Sequence, residues 1–185
     1  MPDQPDQTLL QQLAAGNEEA FGKLYDLLGQ RLFKAAYRIL GRQDEAEDAV
    51  QEVFLGLVRA GWVLAQVENL NAYLFASLHR ASLRLAARRG VELHLSAAQG
   101  EAVKETGTRL EDETGIGERL DRALHSLPHE QREVLALKID GGLTFEEIAE
   151  ALHAPANTVA SRYRYALEKL RAALSSEPRA QASGE

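Results

Sequence analysis

The chain has 185 residues, 45% hydrophobic and 26% charged, with 21 Lys and Arg against 28 Asp and Glu for a net charge of -7. That length allows one compact domain or two small ones and excludes a large barrel, while the acidic balance excludes a uniformly basic nucleic-acid binder. The absence of Cys removes disulfides, cysteine-based zinc sites and thiol nucleophiles, and fits a reducing interior.

Met1-Pro-Asp-Gln-Pro-Asp lacks the basic and apolar stretches of a signal peptide, and no apolar run approaches the ~20 residues of a membrane span. A soluble cytoplasmic protein without membrane insertion is expected. With 5 Pro, abundant Ala, Leu, Glu, Arg and Gln, and no sustained period-2 alternation, the composition points to an all-α fold.

Leu9, Leu10 and Leu13 mark a short helix stopped at Gly16, after which Asn17 is placed as an N-cap with Glu18 and Glu19 at the positive helix end. Phe21, Leu24, Tyr25, Leu28, Leu32, Ala35, Ala36 and Ile39 then form one apolar stripe up to Gly41. Ala46, Ala49, Val50, Val53, Phe54, Leu57 and Val58 repeat the pattern over Asp44 to Ala60, and Leu70, Tyr73, Leu74, Leu78, Ala81 and Leu85 over Asn69 to Arg89. Three such helices can close a small core.

The other faces of these helices differ in sign. Glu45, Asp48 and Glu52, spaced i, i+3, i+7, share one face with Glu47 and Gln51 alongside, which reads either as a solvated face or as an acidic docking ridge. Arg80, Arg84, Arg88 and Arg89 occur without an acid between Arg80 and Gly90, beside His79 and near Tyr73 and Phe75. A cationic stripe with nearby rings suits phosphate contact and base stacking; the plainer reading is Arg favoured at a helix C-terminus.

Charge also marks a boundary. Residues 91–118 carry 2 basic and 7 acidic groups, together with Gly100, Gly107, Gly115 and Gly117 and few large apolar residues. Such a segment buries too little surface to offset its chain entropy. The expected organisation is therefore a helical domain over 1–90, a flexible acidic linker over 91–117, a second helical domain over 118–175 and a disordered tail over 176–185.

In the second domain, Leu120, Ala123, Leu124 and Leu127 form a short helical face, and Pro128 opens a helix with Val134, Leu135, Leu137 and Ile139 that ends at Gly141 and Gly142. Thr144 and Glu147 form a capping box for a helix stopped at His153. A turn through Pro155 leads to Asn157 or Thr158 as the next cap, and Val159, Tyr163, Ala166, Leu167 and Leu170 mark a helix to about Leu174. Short helix, tight turn and longer helix make a helix-turn-helix, whose second helix enters the major groove. Thr158, Ser161, Arg162 and Tyr165 are the expected base-reading surface, in a segment with four basic residues against one acid over 157–174.

Chemistry of other kinds finds no foothold. There is no Gly-rich phosphate loop, no Gly-x-Ser-x-Gly elbow and no His-Glu-x-x-His, and the Glu150-x-x-His153 step lacks the second copy a di-metal bundle needs. No enzyme activity, cofactor or metal is expected.

Residues 44–54, Asp-Glu-Ala-Glu-Asp-Ala-Val-Gln-Glu-Val-Phe, resemble the core-polymerase-binding helix of region 2 in bacterial sigma-70 family factors. Residues 127–135, 143–152 and 158–162 resemble region 4, and the two-domain order is similar to the extracytoplasmic-function (ECF) group. The resemblance spans roughly 8–89 and 118–174. It implies a promoter-specificity subunit that binds the beta and beta-prime subunits of RNA polymerase core, directs transcription initiation from promoter DNA, joins the nucleoid in the holoenzyme, and is controlled by an anti-sigma factor. It assigns Asp44, Glu45, Glu47, Asp48, Gln51, Glu52 and Phe54 to the polymerase contact. It assigns Tyr73, His79, Arg80, Arg84, Arg88 and Arg89 to the -10 element, and Thr144, Asn157, Thr158, Ser161, Arg162, Arg164, Tyr165 and Lys169 to the -35 element.

The chain departs from the family pattern at three places. Arg80 and Arg84 stand where the family commonly has Asn and, four residues on, Asp, which favours sequence-independent phosphate contact over base reading. His153 stands where Gly is usual, and Ala160 where Lys is common. The alternative these departures leave is a sigma-like mimic that occupies an anti-sigma factor without supporting transcription.

Overall fold

The structure, a computed structural model, describes residues 7–99 and 116–175. α1 (Gln7–Ala14) turns at Gly16 (φ 76°) into α2 (Glu18–Leu40), whose first turn is capped by Asn17, its Oδ1 accepting from the Glu19 and Ala20 amides at 2.9 and 3.3 Å. Gly41, at φ 75°, closes α2 with its amide donating to the Tyr37 carbonyl. α3 (Gln43–Ala60), a 3-10 segment (Gly61–Gln66) and α4 (Leu70–Gln99) complete the first unit. Leu24, Leu28, Leu32, Leu57, Leu74 and Leu78 are fully buried between α2, α3 and α4.

α4 runs on past its expected end at Arg89. Gly90 sits in helical backbone, and an interior glycine costs only about 1 kcal/mol, too little to stop a helix. The part of the expected linker at 91–99 is therefore helix. The rest of that expectation, over 100–115, lies outside the described residues, as does the tail from 176.

The second unit comprises α5 (Ile116–His125), α6 (His129–Leu135), a widened π-type turn (Ala136–Asp140), α7 (Phe145–Leu152) and α8 (Ala156–Ser175). The capping box is present in both directions: the Thr144 hydroxyl accepts from the Glu147 amide at 3.1 Å, and the Glu147 carboxylate accepts from the Thr144 amide at 2.7 Å. α8 begins at Ala156, two residues before the start an Asn157 cap would give, because the Pro155 carbonyl already accepts from the Val159 amide at 3.1 Å. Asn157 and Thr158 thus lie inside the first turn rather than at the cap.

His153 ends α7 in left-handed backbone at φ 50°. Its side chain is exposed, so what it costs there is chiefly the clash of its Cβ, about 1–2 kcal/mol for an L-residue. His153→Gly is expected to raise the unfolding free energy by about 1 kcal/mol, read from the shift of a urea midpoint at unchanged slope.

The two units are not held apart. The core of the first continues into Val134, Ala136, Leu137, Leu143, Ile148 and Val159 of the second, while Ala123, Leu124, Leu127, Leu135, Ala166 and Leu170 form a smaller cluster among α5, α6 and α8. Phe75 of α4 is fully buried within the shared core. Each such large side chain contributes roughly 1.5–3 kcal/mol. At the far end, His125 of α5 lies against Gly41: a Cβ there would stand 2.6 Å from the imidazole Nε2.

Candidate functional site

The acidic face of α3 is divided into two edges. Glu45 and Glu52 turn toward α4, where Glu45 pairs with Arg89 at 3.0 Å and Glu52 accepts from Arg84 Nε at 3.1 Å. Burial raises the Glu45 carboxyl above its ordinary value, outweighing the pull of Arg89 and Arg42. Asp44, at the exposed start of the helix, is held below the usual carboxylate range by its hydrogen bonds from Arg42, at 2.7 and 3.2 Å. Asp48 is exposed and has no hydrogen-bond or ion-pair partner among the described residues.

The second edge lines a groove. Glu47, Gln51 and Phe54 of α3 face Tyr25, Asp26, Gln30 and Phe33 of α2, with Val50 and Gly29 at its floor. Phe54 is half-buried, its ring 5.2 Å from that of Tyr25. Tyr25, expected in the core stripe, is 56% exposed and lies over Gly29, where a Cβ would meet its ring at 3.4 Å. A sequence signal for this wall existed in Gly29, because a glycine inside a long helix marks a face that something else approaches.

The basic stripe of α4 is less open than its spacing suggests. Arg80 is exposed, with its guanidinium donating to the Ser77 hydroxyl at 2.9 Å, and Arg88 is exposed too. Arg84 and Arg89 are engaged by Glu52 and Glu45, so the α3 carboxylates and the α4 guanidinium groups partly neutralise one another. Tyr73 is half-buried against the core. His79 and Phe75 do not belong to the stripe at all: both are buried on the side of α4 that meets the second unit. Phe75 is five residues before Arg80, about 140° around the helix, and His79 has a carboxylate partner there.

That partner is Glu133 of α6. Its Oε1 lies 2.7 Å from His79 Nε2 and 3.4 Å from His129 Nδ1, and both Glu133 and His79 side chains are 8% exposed. Burial alone pushes the Glu133 carboxyl up. The hydrogen bonds and charges of His129 and His79 outweigh it and hold it at about 2. Since that carboxylate can only accept, His79 Nε2 carries the proton of the bond.

On the second unit the helix-turn-helix presents its expected surface. Helical spacing puts Thr158, Ser161, Arg162, Tyr165 and Lys169 on one side of α8, with Asn157 and Arg164 on its flank. Thr158, Ser161 and Arg162 are half-buried; Asn157, Arg164, Tyr165 and Lys169 are exposed. The Arg164 guanidinium stands 5.0 Å over the Tyr165 ring. Thr144 is exposed with its hydroxyl committed to the capping box. Val159, Ala166 and Leu170 face the core, and Leu167, expected with them, is 37% exposed.

Sequence comparison agrees with this division into units. The family model for Sigma-70 region 2 matches residues 24–91, and that for Sigma-70, region 4 matches residues 123–172. The chain belongs to the sigma-70 family. The ECF RNA polymerase sigma factor SigE of Mycolicibacterium smegmatis is 30% identical over 170 residues, which are 85% of this chain and 64% of that protein. The ECF RNA polymerase sigma factor SigK of Mycobacterium tuberculosis (strain H37Rv) is 27% identical over 168 residues, 88% of this chain and 90% of that one. These relatives place the sigma-70 family member described here in the ECF group.

Two solved structures share the fold. One is the sigma factor RpoE in complex with the anti-sigma factor NepR from Bartonella quintana, with a TM-score of 0.74 and 24% identity over 86% of this chain and 99% of that one. The other is CnrH in complex with the cytosolic domain of CnrY, with a TM-score of 0.62 and 25% identity over 91% and 96%. Among the described residues, no helix is long and apolar enough to cross a membrane and no cluster of His, Asp and Glu is placed to hold a metal ion.

Proposed function

We propose that this ECF family member is a cytoplasmic promoter-specificity subunit, which docks on RNA polymerase core and directs initiation at promoters it reads with both units. The observation that carries the reading is one fold presenting two exposed surfaces of opposite character, the α3 edge with its groove against α2 and the basic face of α8. Asp44, Glu47, Asp48, Gln51 and Phe54 would meet the polymerase, the carboxylates setting orientation and on-rate and the groove accepting apolar side chains. Glu45 and Glu52 would serve that contact through their α4 partners.

Arg80 and Arg88, with Tyr73 behind them, would meet the backbone of the -10 region, while Arg84 and Arg89 join only when drawn off their carboxylates. α8 would lie in the major groove of the -35 element. The chemistry of chain synthesis stays with the polymerase; this subunit contributes binding. That the structural neighbour RpoE is held by an anti-sigma factor supports control by a protein of that kind.

Run-off transcription with bacterial core polymerase and a genomic promoter library tests the reading: discrete promoter-dependent transcripts support it, and their absence with core still bound favours a sequestering mimic. Within that assay, Arg162→Ala is expected to cost about 1–3 kcal/mol of -35 binding and to relax the preference at one upstream base pair, measured by competition among single-base variants.

A further inference from the structure

Arg84 of α4 and Glu52 of α3 meet on the solvent side of the first unit. Arg84 donates from Nε to Glu52 Oε1 at 3.1 Å and from Nη2 to the same oxygen, and the two side chains are 59% and 44% exposed. Both contacts fall on one carboxylate oxygen and on one edge of the guanidinium. Glu52 Oε2 and Arg84 Nη1 are thus left without a partner among the described residues. An exposed ion pair of this kind adds little to the stability of a fold, so packing alone does not account for it.

The surroundings are electrically mixed rather than basic. Arg80, one turn before Arg84, is exposed and turns its guanidinium back to the Ser77 hydroxyl at 2.9 Å, and Asp48, one turn before Glu52, is an exposed second carboxylate. A phosphate brought to Arg84 would meet the Glu52 charge beside it, so the pair is poorly suited to a backbone contact. It suits a base edge instead, because a carboxylate oxygen next to a guanidinium N–H offers one acceptor and one donor together. In the major groove guanine shows two acceptors, cytosine a donor, and thymine an acceptor with a methyl group. Adenine alone shows a donor and an acceptor, the N6 amine and N7, and the amide side chains that read it supply the same two functions as this pair.

We propose that Glu52 and Arg84 act as one reading unit for adenine, Glu52 Oε2 accepting from the N6 amine and Arg84 Nη1 donating to N7, with Arg80 at the neighbouring phosphate. Arg84 then takes part in base recognition without leaving its carboxylate. Glu52 becomes a specificity-determining residue contributed by the helix otherwise assigned to the polymerase. The inference rests on the α4 contact to promoter DNA proposed above, and names the base which that contact selects.

Fluorescence anisotropy of labelled single-stranded oligonucleotides with the full chain tests this, single strands being used because α8 is proposed to lie in a duplex groove. Selection from a random single-stranded pool is expected to return one position fixed as adenine, and the adenine form should bind about tenfold or more tighter than the other three bases there. Replacing that adenine by purine, which lacks the N6 amine, should remove most of the preference in the natural protein and cost nothing further in Glu52→Ala. Replacing it by 7-deazaadenine, which lacks N7, should do the same with respect to Arg84→Lys. Both variants should keep the far-UV helicity of the natural protein, and Glu52→Ala should bind the unselected pool more tightly because it frees a cation for phosphate. Adenine preference kept by Glu52→Ala or by Arg84→Lys would overturn the pair. Pool binding without adenine preference would overturn it too, while leaving α4 as a backbone contact. No binding of the natural protein to any single strand would strike the α4 contact itself, on which the pair depends.

Discussion

Glu133→Ala is expected to remove about 3–5 kcal/mol from the unfolding free energy near pH 6, the largest single-residue loss anticipated in this fold. The carboxylate is buried where α4 and α6 meet, and its removal strands His79 without its Nε2 partner in a site where Nδ1 already has none. A carboxyl held at about 2 against an ordinary 4.5 corresponds to on the order of 3 kcal/mol of stability, in line with that loss.

The same geometry fixes the pH dependence. Glu133 is depressed in the folded protein, so its contribution is complete above about 4.5 and is lost as pH falls through about 2. His129 is raised, chiefly by its hydrogen bond to Glu133, so its contribution is complete below its ordinary 6.5 and fades as pH rises through the raised value. The gap in urea-derived stability between the natural protein and Glu133→Gln should therefore be widest between roughly pH 4.5 and 6.5 and narrow on both sides. A gap that stays level from pH 6.5 to pH 9 would show that the His129 pair contributes nothing.

What the sequence discloses and what it conceals divide along chain separation. The Asn17 cap, the Thr144–Glu147 box and the stops at Gly16 and Gly41 are settled within four residues, so residue type and spacing suffice to read them. Ile139 and Asp140 show the other case. Periodicity puts Ile139 in the core, yet it is 52% exposed while Asp140 is buried. The widened turn over Ala136–Asp140 adds a residue to the helical period and so rotates the side chains at its end, and the turn is held by Arg31 and Arg38, more than a hundred positions earlier.

Spacing alone sets His79 and Phe75 beside the basic stripe for the same reason. A helix with one apolar stripe and one basic stripe has a third side, and only the position of the second unit shows that His79 and Phe75 lie buried there. The two opposite-sign surfaces themselves were legible, since each is a spacing within one helix. That the units share a core was not, because neither half's pattern is complete without residues such as Leu137 and Ile148, which read equally well as the core of their own helix-turn-helix.

Asp48→Arg bears most directly on the polymerase contact. Asp48 is exposed in the first half of α3, beside Glu45 and Glu52, and unlike those two has no partner among the described residues, so its replacement removes no contact from the fold. Helicity and the urea midpoint should be unchanged within about 0.5 kcal/mol. On the proposed interface the substitution places a cation against a basic groove, and a like-charge juxtaposition costs several kcal/mol, so binding to core should weaken about a hundredfold or more. Glu52→Gln provides the contrast: it frees Arg84 rather than opposing the partner, and should weaken core binding only about tenfold while strengthening salt-sensitive DNA binding. Equal affinity of Asp48→Arg and the natural protein for core, measured by co-purification and fluorescence anisotropy, would move the polymerase contact off this edge and leave the α2–α3 groove as its place.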